Sequence, residues 1–452
     1  METEKNALMR IPDNFANRKI IVVGDVMLDK HLEGDVSRIS PEAPIPILKV
    51  DKETYNPGGA ANLANNIASL GATVHLFGVV GNDDAQRLLF HSLEEKGINT
   101  DSLIKTKRQT IQKIRGISKQ HLFRIDYEDG LTIDEENEQK LWVLIKDKIP
   151  EVDAIILSDY NKGTLTESLI KNIISFAKNH NKLLTADCKP KKIHLYKGID
   201  VLKPNKKESL EMTGAGDVEE AGKMLSEDLN SNIIITCGAE GTLIFEMGKD
   251  HVHIPTKAKK IYDVSGAGDT FLAVFTLSLA CKSSFKDAVE LANEAAGIVV
   301  SKPGTATLSM GELRNSLNST KKVVQKVWGE EQWIENNERY CGKKLFVKKE
   351  HYSSYHNHKD KEETFYVLDG DLEVIYNGEY VRLLPGDTLK IEREVYHSFR
   401  AIEDTTFFEF STQHLDEDNY RLTTSSSGSH EKWKQEIYSE IQNDKSNFDI
   451  EI

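Results

Sequence analysis

The chain has only four cysteines in 452 residues, Cys188, Cys237, Cys281 and Cys341, and no two of them make a CxxC pair. That scatter excludes a thiolate zinc site and a disulfide frame, and it fits reduced thiols, so a cytoplasmic location is expected. Long apolar runs are also missing. The longest, 271–281, has eleven residues and includes two hydroxyls, short of the roughly 20 that a membrane-spanning helix requires. Positive charge is in deficit, with 58 basic against 72 acidic residues and a formal charge of −14. Such a balance repels nucleic acid and anionic membranes, so neither is an expected partner, and any anion must be held by local donors. No secretory leader is read at the N-terminus, and no internal repeat is found.

What is present is an alternation of strand and helix patterns. A β-branched run at 19–24 (KIIVVG) ends in glycine and is followed by Asp25, as a buried strand ends at the carboxyl edge of a parallel sheet. Similar runs recur at 74–80, 154–158, 183–187, 200–202 and 233–237, with helical patterns at 59–70, 84–96, 136–148, 166–179, 207–213 and 286–301. This predicts a doubly wound α/β domain of about 300 residues. The proline-interrupted segment 31–50 reads as edge strands outside the main sheet, a small β lid. A boundary is expected near 320, giving a first domain of 1–320. Beyond it, residues 321–425 show short strands and turns, including Asn377-Gly378 as a hairpin turn, and predict an all-β barrel. Residues 426–452 are a polar, charged C-terminal tail, expected to be a frayed helix or disordered.

The densest chemical signal is DVSGAGDTF at 263–271. Gly266 and Gly268 let backbone amides crowd around an anion, and a helix starting near Thr270 points its positive end at the same place. Asp269 sits where a hydroxyl would arrive. A carboxylate there takes the proton of an attacking alcohol, while the amides of Gly266, Ala267 and Gly268 hold charge on a transferred phosphoryl group. An ordinary glycine turn capping a buried helix is the bland alternative.

This motif and PGGAAN at 57–62 resemble the two signatures of the PfkB/ribokinase sugar-kinase family, over about residues 12–310. GDVMLDKHLEGDVSRISPEAPIPILKV at 24–50, LSDYNKGTL at 157–165 and ANEAAGIVVSKPGTATLS at 292–309 look like its heptose 7-phosphate 1-kinase branch. The resemblance implies ATP and Mg²⁺ as cofactors and a homodimer through the 31–50 strands. It points to Asp25, Gly58, Gly59 and Asn62 as sugar ligands. Lys113, Arg115 and Arg124 are the local positive charge for a substrate phosphate, against the alternative of a solvated strand face. Asn205 and Glu208, spaced NxxE, are implied around magnesium, although the same spacing suits a helix cap. Lys203, Thr236, Gly238, Gly241 and Asn293 are implied around the nucleotide. GNDDAQ at 81–86 departs from the family, where many members end that turn in glycine. The heptose enzymes often carry a nucleotidyltransferase domain with an HxGH motif. None of the fourteen histidines here falls in one, so nucleotide-sugar formation is not expected.

In HNHKDKEETFYVLDG at 356–370, His356 and His358 stand two apart on a strand and share a face, with Glu363 five residues later and His397 on a later strand. Three imidazoles and a carboxylate converging inside a barrel suit a divalent transition metal such as Zn, Mn, Fe or Ni. The spacing resembles the cupin motif, and VVQKVWGEEQWI at 323–334 resembles the entry to mannose-6-phosphate isomerase-type cupins. A metal-free structural barrel is the alternative, costly because it buries histidines unpaired. Glu409 and Glu362 are candidate isomerase bases. The expected protein is a two-step enzyme in which the cupin interconverts ketose and aldose phosphates, such as sedoheptulose 7-phosphate and its aldose, and the kinase phosphorylates the aldose at O1. Its alternatives are a kinase with a regulatory sugar-binding cupin, or the same fold acting on another sugar.

Overall fold

A computed structural model describes residues 8–118, 120–256, 264–302, 306–318 and 323–447. The chain divides into two compact units, Met1–Leu317 and Asn318–Ile452. Part of the glycine motif, including Asp263, lies outside the described residues.

The first unit is built on a nine-stranded sheet. Its centre runs Val201–Leu202, Leu183–Cys188, Ala154–Asp159, Lys19–Gly24, Thr73–Val80, all parallel, and the hairpin strands Thr242–Phe245 and Val252–Ile254 close one edge antiparallel. Strand alternation decides what covers each face. Ile20 and Val22 point to the layer of the helices Ala60–Ser69, Ala267–Ala280 and Phe285–Val299, whereas Ile21 and Val23 point to the layer of Glu135–Lys148 and Glu167–Asn179. Both faces are therefore buried, and the carboxyl ends of the parallel strands are left to hold ligands.

A separate four-stranded sheet, in the order Pro46–Gly59, Val26–Ile39, Ile111–Ile117, His121–Tyr127, grows out of this edge. Register places Asp29, Lys113 and Asp126 in one row and His31, Arg115 and Arg124 in the next. The helix Ala267–Ala280 is buried from Thr270 to Ser278, and Thr270 Oγ1 donates to Asn66 Oδ1 at 2.8 Å. That bond ties the start of one helix to the middle of another.

The second unit is a pair of β-sheets facing across a core of Trp328, Leu345, Phe365, Val374, Phe399 and Phe407. The turn between Leu372–Tyr376 and Glu379–Leu383 has positive φ at both Asn377 (50°) and Gly378 (80°), the type I′ geometry that matches strand twist. Of the two forms expected for the C-terminal stretch it takes the helical one, His430–Asn447, but packed rather than frayed: Trp433 and Ile437 are buried with Tyr352, Tyr355 and Ile375. Two anchors set in a charged sequence suffice, because Trp433 Nε1 also donates to Ser398 Oγ at 3.0 Å. Trp433→Ala should cost about 3–5 kcal/mol. Hydrogen exchange by mass spectrometry should then accelerate over 430–442 and leave the strand Lys19–Gly24 unchanged.

Candidate functional site

Asp269 stands in the first turn of the helix Ala267–Ala280, whose cap, Gly266, has φ of 80°. Asn62 Nδ2 donates to Asp269 Oδ2 at 2.7 Å and Tyr160 Oη donates to Oδ1 at 3.0 Å. Burial pushes the Asp269 carboxyl up to about 6, against the pull of those two donors. A carboxylate near that value is poised to take a proton at neutral pH.

The cavity beside it is about 410 Å³ and is lined by Gly266, Ala267, Gly268, Asp269, Lys203, Asn205, Glu208, Thr236, Gly238, Gly241 and Asn293. Residues scattered over 91 positions of sequence thus meet at the carboxyl edge of the sheet. Lys203 is buried and pairs with Asp187 at 2.8 Å. Burial lowers the pKa of its ammonium, but Asp187 outweighs that and holds it above the ordinary lysine range. A carbon added at Gly268 would come within 3.6 Å of Lys203 Nζ, so the lysine reaches the helix start. Asn293 Oδ1 accepts from Thr242 Oγ1 at 2.7 Å. Asn205 and Glu208 form a reciprocal capping box on the helix Lys206–Thr213 while facing the same cavity, so the cap and the ligand reading share one geometry. Glu208 also pairs with Lys189 at 2.5 Å.

Two sequence assignments here need correction, Asp25 and Arg124. Asp25 is fully buried, and its carboxylate accepts from the backbone amides of Tyr160 (2.9 Å), Lys162 (2.9 Å) and Thr164 (3.0 Å). It holds the 160–164 loop, fully buried and lining none of the described cavities. A second buried acid, Asp29, was missed in the sequence although it closes the same GDVMLD string. Its carboxylate pairs with Arg115 at 2.7 Å, and a carbon at Gly58 would come within 2.9 Å of Oδ2. Gly59, with φ of 56°, would bring a side chain against the Asp25 carbonyl, so both glycines are required for the close turn. Arg124 is half-exposed and occupied by Asp126 at 2.9 and 3.1 Å. Lys113 is different: it forms no ion pair among the described residues, and burial lowers its pKa.

In the second unit a cavity of about 430 Å³ contains His356, His358, His397 and Glu363. The three histidines offer nitrogens within 4.8 Å of one another. Each ring uses Nδ1 on a backbone carbonyl: His356 on Ser354 at 2.8 Å, His397 on Val395 at 3.1 Å, and His358 on Asp418. That tie places the proton on Nδ1 of His356 and His358 and leaves their Nε2 lone pairs for a metal; at His397, Nε2 also meets the Glu363 carboxylate, where a bound cation would take the place of the shared proton. Glu363 Oε1 lies 2.6 Å from His397 Nε2. The donor set therefore fits a divalent transition ion. Two buried lysines accompany it, neither noticed in the sequence. Lys361 bridges Glu363 and Glu409, the latter at 2.6 Å, and Lys343 lies 3.3 Å from Glu409. Lys361 stands two residues before Glu363, and strand alternation could have found it. The same alternation removes Glu362, which points outward to Lys390 at 3.3 Å and does not line the cavity.

Comparison with known proteins follows the same division. The model of the pfkB family carbohydrate kinases matches residues 17–311, and that of the cupin domain matches 345–409. The bifunctional protein HldE of Desulfatibacillum aliphaticivorans is 38% identical over 420 residues, 89% of this chain and 86% of that protein. HldE of Psychromonas ingrahamii is 40% identical over 325 residues, covering 70% and 67%. In fold, the first unit is similar to Arabidopsis thaliana ribokinase complexed with ribose and ATP (TM-score 0.54, 18% identity, 66% of this chain and 98% of that one). Escherichia coli phosphofructokinase-2 is similar to the same extent (TM-score 0.56, 18% identity, 66% and 98%).

The loop anchor is testable without a substrate. Asp25→Asn should lose about 1.5–3 kcal/mol, the worth of hydrogen bonds to a charged acceptor, in urea unfolding of the full chain, with faster hydrogen exchange at 160–164. Unchanged exchange there would return Asp25 to the role of a ligand.

Proposed function

The chain belongs to the pfkB family of carbohydrate kinases and carries a C-terminal cupin, and we propose that it phosphorylates a heptose 7-phosphate at O1 with Asp269 as the base. The observation that supports this reading most is Asp269 itself, held by Asn62 and Tyr160 at the mouth of a helix and facing the cavity that also contains Lys203. ATP with Mg²⁺ supplies the phosphoryl group, and Asp187, Asn205 and Glu208 provide oxygen donors of the kind a hard ion takes. Asp269 accepts the proton of the sugar hydroxyl once that hydroxyl displaces one of its two donors. The amides at Gly266–Gly268 and the Lys203 ammonium face the charge that develops on the moving phosphoryl group. Asp29 and Asn62 hold and orient the sugar's other hydroxyls.

For the cupin, the reading is sugar-phosphate aldose–ketose isomerisation, which would furnish the kinase with its aldose. A divalent metal on His356, His358, His397 and Glu363 would polarise a carbonyl and its neighbouring hydroxyl. The chain's own task is to carry a proton between carbons one and two. Glu409 suits it: burial raises its pKa, but Lys343 and Lys361 outweigh this and keep it ionised below the ordinary range. Lys361 is within reach of the same oxygen. Glu362 is withdrawn as a base.

A homodimer through the four-stranded sheet completes the reading. Phe123, Ile125 and Tyr127 are each more than 40% exposed on the side of that sheet opposite Arg124 and Asp126, and a second copy would cover them.

Asp269→Asn should lower kcat about a thousandfold, measured with heptose 7-phosphate and ATP. In the wild type, kcat/KM should fall as pH drops through about 6, where Asp269 takes up a proton. Because the Tyr160 hydrogen bond lowers that value, Tyr160→Phe should move the acidic limb to higher pH. Dialysis against a chelator should abolish conversion of sedoheptulose 7-phosphate and spare phosphorylation of the aldose once Mg²⁺ is restored. Full isomerase loss in His356→Ala with intact kinase turnover would support the same division; a ketose untouched by wild type would leave the cupin a binding module.

A further inference from the structure

The histidine motif of the second unit leaves four residues, 359–362, between His358 and Glu363, and the amides of all four go to side chains of one distant segment. Asp418 takes three of them: its Oδ1 accepts from Lys359 N at 2.8 Å, and its Oδ2 accepts from Asp360 N and Lys361 N at 3.0 Å each. Glu362 N donates to Thr412 Oγ1 at 3.2 Å, and the Glu362 carbonyl accepts from Thr412 N at 3.0 Å. The backbone carbonyl of Asp418 accepts in turn from His358 Nδ1. One residue therefore grips a ligand ring and three consecutive amides on the way to the ligand carboxylate. Asp418 is itself buried, which a carboxylate tolerates when donors fill its lone pairs.

The fastening runs further along the chain. Arg421 pairs in register with His356, and Tyr420 with Asn357. Leu422 N donates to the Tyr355 carbonyl at 2.9 Å, Tyr355 N to Thr423 Oγ1 at 2.7 Å, and Ser354 N to Ser425 Oγ at 3.1 Å. The run 354–362, which carries two of the three histidines, is thus tied along its length to the segment 412–425, and that segment lies beyond the residues 345–409 matched to the cupin domain. From it, Asn419, Arg421, Thr423 and Ser425 also line the histidine cavity. A turn ordered only by its ion must lose its conformational freedom at the moment of capture, whereas a turn held beforehand has already lost it in folding.

We propose that Asp418 is a positioning residue of the metal centre, holding the 358–363 turn in its ligand-ready form before any ion arrives. The proposal deepens the cupin reading and rests on it for the presence of a divalent ion. The Asp418 carbonyl sets the His358 ring, and its carboxylate sets the backbone that leads to Glu363. One residue outside the ligand set thereby fixes how two ligands stand to each other.

Titration of the full chain with Co²⁺ tests it, after stripping with a chelator and in excess Mg²⁺, followed by the visible absorption of the bound ion. Asp418→Asn should weaken Co²⁺ binding about tenfold or more, the usual effect of losing a partner behind the ligands. Glu417→Gln, which removes the same charge from the exposed neighbouring position, should bind within about twofold of wild type. Equal affinity in Asp418→Asn and wild type overturns the proposal, and so does an equal loss in both variants, which would make the effect one of net charge. A second measurement needs no variant: hydrogen exchange by mass spectrometry across 357–363 in wild type, with and without Co²⁺. Slow exchange of the amides at 359–361 in the ion-free protein supports a preset turn, and protection that appears only when Co²⁺ is added overturns it. Should wild type take up no Co²⁺, the metal reading fails by itself, and exchange at 359–361, faster or unchanged in Asp418→Asn, still decides the hold on the turn.

Discussion

The first unit depends on one buried carboxylate. Asp25 gathers three amides of the 160–164 loop at 2.9, 2.9 and 3.0 Å, and through that loop it places Tyr160 on Asp269. An ionised group with no solvent contact is tolerable only when its lone pairs are filled by donors, and here the filling is also the positioning. The strand that supplies Asp25 continues directly into the sheet that supplies Asp29. One short turn therefore sets both the loop that carries Tyr160 to Asp269 and the acid that pairs with Arg115.

The cupin interior solves a related problem with opposite means. Glu363, Glu409, Lys343 and Lys361 are all at most 5% exposed, and they alternate in sign so that each charge has a partner. The histidines each spend Nδ1 on a backbone carbonyl. Burial and the neighbouring His397 and His358 hold His356 well below the ordinary histidine range, which keeps its inner nitrogen unprotonated. Charge compensation and the Nδ1 ties together turn imidazole nitrogens into the cavity.

Much of this was legible in the sequence because it followed from period and spacing. The parallel strands, the glycine turn before Asp269, the histidine pair two apart and the Asn377-Gly378 hairpin each need only local chemistry, and each is found. What escaped was decided by tertiary partners. Asp25 and Asp29 are four residues apart on similar backbone, and only the 160–164 loop, more than 130 positions away, takes one and leaves the other. Lys189 and Lys343 belong to no motif, and Tyr160 stands inside LSDYNKGTL with no role legible there. Arg124 is the exception, misread for a local reason: Asp126, two positions on along the same strand and on the same face, takes its guanidinium. The C-terminal helix looked soluble throughout because two buried side chains, Trp433 and Ile437, are too few to raise the average of a charged segment.

The alternation that sends Glu363, Phe365 and Val367 inward and Glu362 outward has a consequence for how the barrel is assembled. A slip of a single position along the strand Glu363–Asp369 would turn the cavity's own carboxylate to solvent and bring an unmatched acid into the interior. A cation captured by the correctly paired strands would select against that misfolded isomer, so the ion would act as a proofreader of assembly before it could serve any reaction.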